Sequence, residues 1–365
     1  MRLRLDEPAW WYGARPGAIA LALAPLAALY GWAAKARFAG ARPYRPRLPV
    51  VCVGNLTAGG TGKTPLTLHL CEHLRAAGRK PVVLTRGYGG LETGPHWIVE
   101  GDDSQAVGAE ALLLARTGPN MFARDRAAGA RAIEAAIDAG AVAADMIVMD
   151  DGLQNPRLAK DLTLAVVDGR RGLGNGRVIP AGPLRAPLAF QLGLVDAIVV
   201  NAPAAGATAG ATSNAVADRL RQRFDGPVLR CSTVVTGDTT WLERQRLVAW
   251  AGIGAPHRFF DMLRAHGAEV VEAVAFGDHQ RLAETDAQRL LALAAQHNAI
   301  LVSTAKDMAR LKGATGMLAQ LAAATRILPI ALAFAAPDAG RLTGLLATLT
   351  PDAARNPASR APGRG

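Results

Sequence analysis

The sequence predicts a protein of the α/β class with more than one folded domain. After Pro49, short runs of β-branched and aliphatic residues alternate with longer stretches rich in alanine and leucine, which is typical of parallel strands connected by helices. A second series of strands and helices starts at Leu247. At roughly 150 residues per domain, the chain is long enough for about two domains. Its hydrophobic content of 50% excludes a protein that is disordered throughout.

The chain begins with an apolar stretch that has aromatic and basic flanks. The stretch covers residues 17–34, the sequence WWY precedes it at 10–12, and a basic cluster follows it. Residues 1–47 carry a net charge of +6 out of +11 for the whole chain. The body of the protein therefore lacks the charge excess that a nucleic-acid groove needs. Aromatic and basic flanks are instead typical of a helix at an anionic membrane surface.

Several interpretations of this apolar stretch compete. The acidic residues Asp6 and Glu7 and the aromatic trio do not fit the start of a signal peptide. A length of 18 residues is the lower limit for a membrane span, and Pro25 would kink a spanning helix. A helix in the membrane interface is favoured, followed by a single span. A core helix of the folded domain is the third alternative.

The strands and helices of the α/β part follow from local patterns. Nearly continuous apolar runs predict buried parallel strands, at Val50–Gly54, Pro81–Thr85, Met146–Asp150, Leu164–Asp168 and Ala197–Asn201. Helical patterns cover Lys63–Ala77, Ala106–Arg116 and Arg124–Ala139. The stretch 202–212, rich in alanine, glycine and threonine, is predicted to be a surface loop. In the second series, strands are predicted from Leu247, at Val270–Phe276, at Ile300–Ser303 and near Ile327–Leu332.

These elements divide the chain into four parts. We expect an N-terminal membrane-associated helix with its basic flank in residues 1–47 and a larger α/β domain in residues 48–235. A smaller α/β domain is expected in residues 236–350. The segment 351–365, rich in proline, arginine and alanine, is predicted to be a disordered tail.

A glycine-rich loop follows the first predicted strand and leads into the first predicted helix. Such a loop turns successive backbone N–H groups toward a polyphosphate, while its lysine reaches the β- and γ-phosphates and its hydroxyl residue holds Mg²⁺. The candidate residues are Gly59, Gly60, Thr61, Gly62, Lys63 and Thr64. Thr57 stands where the strict motif has its first glycine. The remaining glycines keep the loop free of side chains, so the larger domain is predicted to be P-loop NTPase-like with a mostly parallel sheet.

A pair of acidic residues follows another predicted strand. Asp150 and Asp151 come directly after the apolar run MIVM, where a carboxylate can bind Mg²⁺ directly or through water. A helix cap with a turn acid is the alternative. Together with the glycine-rich loop, the pair predicts a site for Mg²⁺ and a nucleotide.

These motifs belong to a longer series that resembles the tetraacyldisaccharide 4'-kinases, the lipid A 4'-kinases of Gram-negative bacteria. The resemblance extends from the N-terminal helix to about residue 335. Its blocks occur in the order GNLTAGGTGKTP (54–65), LTRGYGG (84–90), DDGLQN (150–155), GNGRVIPAGPLR (174–185), AGIGAPHRFF (251–260), FGDHQ (276–280) and STAKD (303–307).

The resemblance implies a role for individual residues. Lys63 corresponds to the phosphate-binding lysine, and Thr64 and Asp150 correspond to the Mg²⁺ partners. Asp151 is a second acid of the site, and His279 resembles the catalytic histidine of the family. Further candidates for substrate binding are Arg86, Glu110 and Arg185.

Two departures from the family pattern concern the general base. Ala109 stands where the family has an aspartate that works with the histidine, and Ala186 replaces an acidic residue that usually follows PAGPLR. An orienting carboxylate for His279 could then come from Asp278, Glu110 or Asp151.

The resemblance implies an ATP- and Mg²⁺-dependent kinase that phosphorylates the 4'-hydroxyl of a tetraacyldisaccharide 1-phosphate and forms lipid IVA in lipid A biosynthesis. Its expected partners are this lipid A disaccharide precursor and an anionic membrane surface, with no nucleic acid and no obligate protein partner. The expected location is the cytoplasmic face of the bacterial inner membrane.

Two alternatives to an active kinase remain. A membrane-associated regulatory ATPase of the partitioning type also has a GGxGKT loop, but Ala58 stands where such proteins have a signature lysine. A catalytically impaired relative that still binds nucleotide and lipid is suggested by Ala109 and Ala186.

Overall fold

Helices and strands alternate along most of the chain. The computed structural model describes residues 7–13, 17–87, 90, 92–99, 101–202, 207–278 and 280–349. The predicted tail lies outside these described residues. The helices are α1 (Ala18–Ala22), α2 (Ala24–Ala39), α3 (Lys63–Ala76), α4 (Ser104–Val107), α5 (Ala109–Ala115), α6 (Arg126–Asp138), α7 (Leu188–Leu192), α8 (Ala207–Arg221), α9 (Pro256–Ala265), α10 (Glu284–His297), α11 (Ala305–Arg310), α12 (Gly316–Ala324) and α13 (Ala336–Ala347). The strands are β1 (Val50–Asn55), β2 (Pro81–Thr85), β3 (His96–Trp97), β4 (Asn120–Phe122), β5 (Met146–Asp150), β6 (Leu162–Asp168), β7 (Ala197–Ala202), β8 (Val228–Val235), β9 (Arg246–Ala251), β10 (Glu269–Ala275), β11 (Ile300–Ser303), β12 (Thr325–Ile327) and β13 (Ile330–Phe334).

The larger sheet has the strand order β13–β8–β7–β6–β1–β5–β2–β4–β3. The strands from β8 to β4 run parallel, and β13 and β3 pair antiparallel at the two edges. After β1, the chain first forms the strands on the β5 side of β1. After β5, it continues with the strands on the β6 side of β1. The carboxyl ends of these three strands are therefore neighbours, and open parallel sheets bind ligands at such a switch point.

Helices cover both faces of this sheet because its strands are apolar on both sides. Val51 and Val53 of β1 pack with α3 and α13 on one face, whereas Val50 and Cys52 pack with α6 on the other. Helix α8 covers the second face over β6 and β7. The prediction of an α/β fold with a mostly parallel sheet is confirmed.

A smaller parallel sheet has the order β10–β9–β11–β12. Helix α9 packs on one of its faces, and α10 and α12 pack on the other. The chain then returns to the larger sheet, because β13 pairs with β8 and α13 packs on the same face as α3. The smaller sheet thus ends at Ile327. Of the segment predicted to be one C-terminal domain, strand β13 joins the larger sheet and helix α13 packs against it.

Several local predictions differ from the structure for identifiable reasons. The strand expected near Ile327–Leu332 is two strands in different sheets, separated at Leu328 and Pro329. The helix expected at Ala106–Arg116 is interrupted at Gly108, whose φ is 88°. Helix α8 already begins at Ala207, within the stretch predicted to be a loop.

The N-terminal helices α1 and α2 pack on the larger domain through small side chains. Ala20, Ala27 and Ala34 are buried, and Gly31 approaches Pro187 closely. Large apolar residues point outward, namely Ile19, Leu21, Leu26, Leu29, Tyr30 and Trp32. Among the described residues, no helix combines the length and the hydropathy that crossing a bilayer requires.

Candidate active site

The glycine-rich loop joins the carboxyl end of β1 to the first turn of α3. Gly59 and Gly62 have φ angles of 92° and 99°, which residues with a Cβ rarely adopt. A Cβ on Gly62 would lie 2.5 Å from Nδ2 of Asn201 at the end of β7. Lys63 is the first residue of α3, so the free N–H groups of a helix N-terminus lie beside the loop, as in phosphate sites.

Thr57 takes part in an extended pairing and needs no glycine. It forms a bridge with Leu184, the N–H of Ala58 donates to Pro183 at 2.7 Å, and the N–H of Arg185 donates to Leu56 at 3.0 Å. The segment PAGPLR therefore forms one wall of the loop, and this pairing directs Arg185 toward the acidic pair.

Asp150 is buried at the carboxyl end of β5. The hydroxyl of Thr67, one turn into α3, donates to its Oδ1 at 2.8 Å. Burial, together with the negative charges of Glu110 and Asp151, raises the pKa of Asp150 to about 6. An ionised Asp150 thus lacks sufficient positive charge around it, and a bound cation would supply that charge.

Asp151 has the opposite electrostatic environment. Burial alone would raise the pKa of this carboxyl group, but the charges of Lys63 and Arg185 outweigh burial and hold the pKa below its usual value. Arg185 donates to Oδ1 at 2.9 Å, and Nζ of Lys63 lies 3.8 Å from the same oxygen. The φ of Asp151 is 49°, a strained conformation that is often found at functional sites.

Two residues that the sequence analysis did not single out support this acidic pair. Arg126 is buried in α6, and its guanidinium donates to the carbonyl of Asp150 at 2.7 Å. Burial lowers the pKa of Arg126 to about 10, and its positive charge lies beneath both acids. The side chain of Gln154 accepts from Arg185 at 3.3 Å and donates to the carbonyl of Asn55 at 2.8 Å. Gln154 lies in the block DDGLQN, whereas Arg126 has no local signal because its burial depends on the helix-sheet packing.

A second charged cluster joins the two domains. Nζ of Lys306 lies 2.9 Å from Oε1 of Glu110 on α5 and 3.4 Å from Oδ1 of Asp278. Arg310 also contacts Asp278, at 3.5 Å. Glu110 is thereby engaged by a cation of the smaller domain, which the sequence pattern did not predict.

Three further positions from the sequence analysis are Arg86, Ala109 and His279. Arg86 is exposed after β2. Ala109 is half-buried at the first position of α5. His279 lies outside the described residues, so the predicted histidine stays a hypothesis.

A Mg²⁺ ion fits the described residues when phosphates complete its coordination. No cluster of three or more His, Cys, Asp or Glu residues that could hold a metal occurs in the described part of the chain. Thr64 lies one turn before Thr67 on α3, on the helix side that faces Asp150. One hydroxyl and one carboxylate together with nucleotide phosphates are a usual Mg²⁺ environment.

The N-terminal segment also reaches the glycine-rich loop. The carboxylate of Glu7 contacts Gly59, pairs with Arg171 at 2.7 Å and accepts from the hydroxyl of Tyr12 at 2.6 Å. This contact packs the segment that precedes α1 beside the loop.

The chain is similar to known proteins over most of its length. A model of the family described as tetraacyldisaccharide-1-P 4'-kinase matches residues 19–349. The tetraacyldisaccharide 4'-kinase of Maricaulis maris is 44% identical over 353 residues, covering 94% of this chain and 96% of the relative. The corresponding protein of Dinoroseobacter shibae is 45% identical over 364 residues, covering 96% and 99%.

A solved structure has the same fold. The structure of LpxK from Aquifex aeolicus in complex with ATP has a TM-score of 0.66 and 21% sequence identity, and the match covers 91% of this chain and 99% of that one. The resemblance inferred from the motifs is confirmed. The match of a family model to most of the chain, together with relatives above 40% identity, shows that this chain belongs to the tetraacyldisaccharide-1-P 4'-kinase family.

Proposed function

We propose that this protein transfers the γ-phosphate of ATP to the 4'-hydroxyl of a tetraacyldisaccharide 1-phosphate. The observation that carries the proposal is the convergence of Lys63, Asp151 and Arg185 beside the glycine-rich loop, with Asp150 at the adjacent strand end. Phosphoryl transfer depends mainly on positioning and on neutralising phosphate charge, and these residues are arranged for both.

Each loop residue has a defined task in this proposal. The backbone of Gly59, Gly60, Thr61 and Gly62 surrounds the phosphates. Lys63, now directed at Asp151, turns to the β- and γ-phosphates when nucleotide binds. Thr64 and Asp150 would hold Mg²⁺, which would supply positive charge to neutralise the phosphates. Asp151 holds Arg185 in place and pairs with Lys63 until nucleotide binds.

Four residues are assigned to the acceptor side of the site and its phosphate contacts. We assign deprotonation of the 4'-hydroxyl to His279, because a neutral imidazole has a suitable pKa for this step. Arg86 and Arg185 are proposed contacts for phosphate groups of the nucleotide or the lipid. Glu110 is proposed to border the acceptor pocket.

We further propose that the N-terminal helices bind the cytoplasmic face of the inner membrane, where the lipid substrate resides. The six large apolar side chains exposed on α1 and α2 support this assignment. Two residues of the basic flank pair with carboxylates of the larger domain, Arg45 with Asp161 at 3.4 Å and Arg47 with Asp138 at 2.8 Å. Lys35, Arg37 and Arg42 are exposed and are the proposed contacts for anionic lipid.

The decisive experiment is transfer of labelled phosphate from ATP to tetraacyldisaccharide 1-phosphate in detergent. We expect transfer by the wild-type protein and a loss of about 100- to 1,000-fold in Lys63→Ala, because the phosphate charge is no longer compensated in the transition state. Lys80→Ala removes an exposed lysine of the same domain and serves as the control.

Three outcomes would contradict the proposal. Transfer by Lys63→Ala at the rate of the control would refute the role of the loop. ATP hydrolysis without transfer to lipid would indicate a regulatory ATPase. Nucleotide binding without any turnover would indicate the catalytically impaired relative.

A further inference from the structure

Lys306 connects the two domains at a buried position. It is the second residue of α11 in the smaller domain, and only 18% of its side chain is exposed. Its ammonium group lies 2.9 Å from Glu110 of the larger domain and 3.4 Å from Asp278 of its own domain. A cation held by carboxylates from both domains fixes their relative position more narrowly than apolar packing does, because the pairing is directional.

Other contacts anchor α11 on both sides of this bridge. Arg310 pairs with Asp307 at 2.7 Å and donates to the carbonyl of Gly252 at 2.5 Å, which fastens α11 within the smaller domain. The hydroxyl of Ser104 donates to the carbonyl of Arg310 at 3.2 Å, which is a second contact across the domain boundary. These contacts together fix the position of Lys306 relative to α5.

The bridge also borders the phosphate site. The charge of Glu110 reaches Asp150 and contributes to its raised pKa. On the other side, Asp278 lies against Gly254, with Oδ2 3.3 Å from the position of a Cβ on that residue. The backbone of Gly254 in turn packs against Gly60 of the glycine-rich loop. Lys306 thus lies between the acidic end of β5 and the wall that the smaller domain builds beside the loop.

The acidic groups around Lys306 need this cation. Without it, Glu110 and Asp278 would lose a neutralising charge near a site that has to receive the negative charges of a nucleotide, although Asp278 would keep its contact with Arg310. Burial alone would lower the pKa of Lys306, but Glu110 and Asp278 outweigh burial and raise it, so the side chain stays charged over the physiological range.

We propose that Lys306 is a positioning residue for phosphoryl transfer, which holds the Gly254–Asp278 wall of the smaller domain against the glycine-rich loop by pairing with Glu110. This inference rests on the proposed kinase function and assigns a role in it to a residue of the second domain. Lys306 acts through the geometry of the loop and does not itself need to touch the nucleotide.

The test compares kcat and KM for ATP in Lys306→Gln, Lys306→Arg and the control Lys312→Gln. Lys312 is an exposed lysine just after α11. We expect Lys306→Gln to lower kcat by about 10- to 100-fold, because small misplacement of reacting groups costs that much, with a much smaller change in KM. Lys306→Arg should retain most of kcat because it keeps the charge. Urea unfolding of each variant shows whether it is folded.

A double-mutant cycle with Glu110→Gln isolates the pair. We expect the double variant to lose no more kcat than the more impaired single variant, because the two residues act as one unit. Additive losses, or a kcat of Lys306→Gln equal to that of Lys312→Gln, would overturn the inference and leave the kinase function intact. If Lys306→Gln does not fold, a Lys306→Arg variant that folds but loses kcat as strongly as Glu110→Gln would also overturn it. Failure of the wild-type protein to transfer phosphate would refute the proposed function itself.

Discussion

Asp150 and Asp151 are neighbours in sequence but differ in their electrostatic environment. Asp150 is buried below the loop with Glu110 nearby, and its pKa is raised. Asp151 emerges from the strand end with a positive φ and pairs with Lys63 and Arg185, which lower its pKa. Asp150 is suited to bind a cation, and Asp151 is suited to orient the side chains of Lys63 and Arg185.

The raised pKa of Asp150 predicts that, without Mg²⁺, ionisation of this carboxyl group lowers the stability of the folded protein. The folded-state pKa of about 6 exceeds the ordinary value of 3.8, so the folded protein binds this proton more tightly than the unfolded chain. The free energy of unfolding should therefore fall as pH rises from about 4 to about 6 and stay lower above that range. Asp150→Asn removes the charge and keeps the acceptor for Thr67.

We expect Asp150→Asn to be more stable than the wild type at pH 7.5, by on the order of 1–3 kcal/mol, and to be inactive. Urea unfolding in EDTA at pH 4.5 and pH 7.5 measures both effects. The stability difference should shrink at the lower pH. An equal difference at both pH values would show that ionisation of Asp150 is not its cause.

The missing aspartate of the family pattern gives a second prediction at this scale. Ala109 opens α5, where a carboxylate is favourable at a helix N-terminus, and its neighbour Glu110 is engaged by Lys306. If an acid at position 109 orients His279, Ala109→Asp should increase kcat by roughly 10-fold or more. His279→Ala in the same background should remove the gain. The kcat values of the two single variants and the double variant decide the matter, and simple additivity would contradict the paired role.

At the scale of elements, the glycine-rich loop combines backbone conformation with close packing. Gly62 meets both conditions, because its φ is positive and Asn201 occupies the space that a Cβ would need. Gly340 in α13 meets neither, since nothing lies within 4 Å of its Cβ position.

We therefore expect Gly62→Ala to destabilise the protein by about 1–2 kcal/mol from backbone strain alone and to abolish ATP binding. Gly340→Ala, an exposed helix position, should stabilise it by about 0.5–1 kcal/mol. Urea unfolding and calorimetric titration with ATP measure both quantities. Normal ATP affinity in Gly62→Ala would show that the loop conformation is not required for binding.

At the scale of the whole molecule, exposed apolar side chains are concentrated on one surface. Leu29 and Trp32 on α2 are 62% and 67% exposed, while the opposite side of α2 packs on the larger domain. If this surface binds a bilayer, it sets the orientation of the active site relative to the membrane. This follows because the active site belongs to the same domain on which α2 packs.

Replacing both Leu29 and Trp32 by serine should reduce binding to anionic vesicles at least 100-fold, because each buried large side chain contributes about 1.5–3 kcal/mol. The folded state should be little affected, since both side chains are exposed. Val99→Ser, at an exposed valine far along the chain, is the control. Vesicle sedimentation measures binding, and unchanged sedimentation of the double variant would refute this membrane surface.

Local pattern alone predicted much of this protein. The strands β1, β2, β5, β6 and β7, the loop from Gly59 to Thr64 and the acidic pair were all predicted from neighbouring residues, because buried parallel strands are apolar throughout and phosphate loops need glycine. The motif series also predicted the family. Each of these signals depends on a few consecutive residues.

Only the tertiary structure determined the contacts between residues that lie far apart in the chain. Four features join segments that are separated by many residues. They are the pairing of Thr57 with Leu184, the burial of Arg126 under Asp150, the bridge between Glu110 and Lys306, and the return of β13 to the larger sheet. No local pattern encodes these contacts, because their free energy arises only when packing brings the partners together and excludes water from between them.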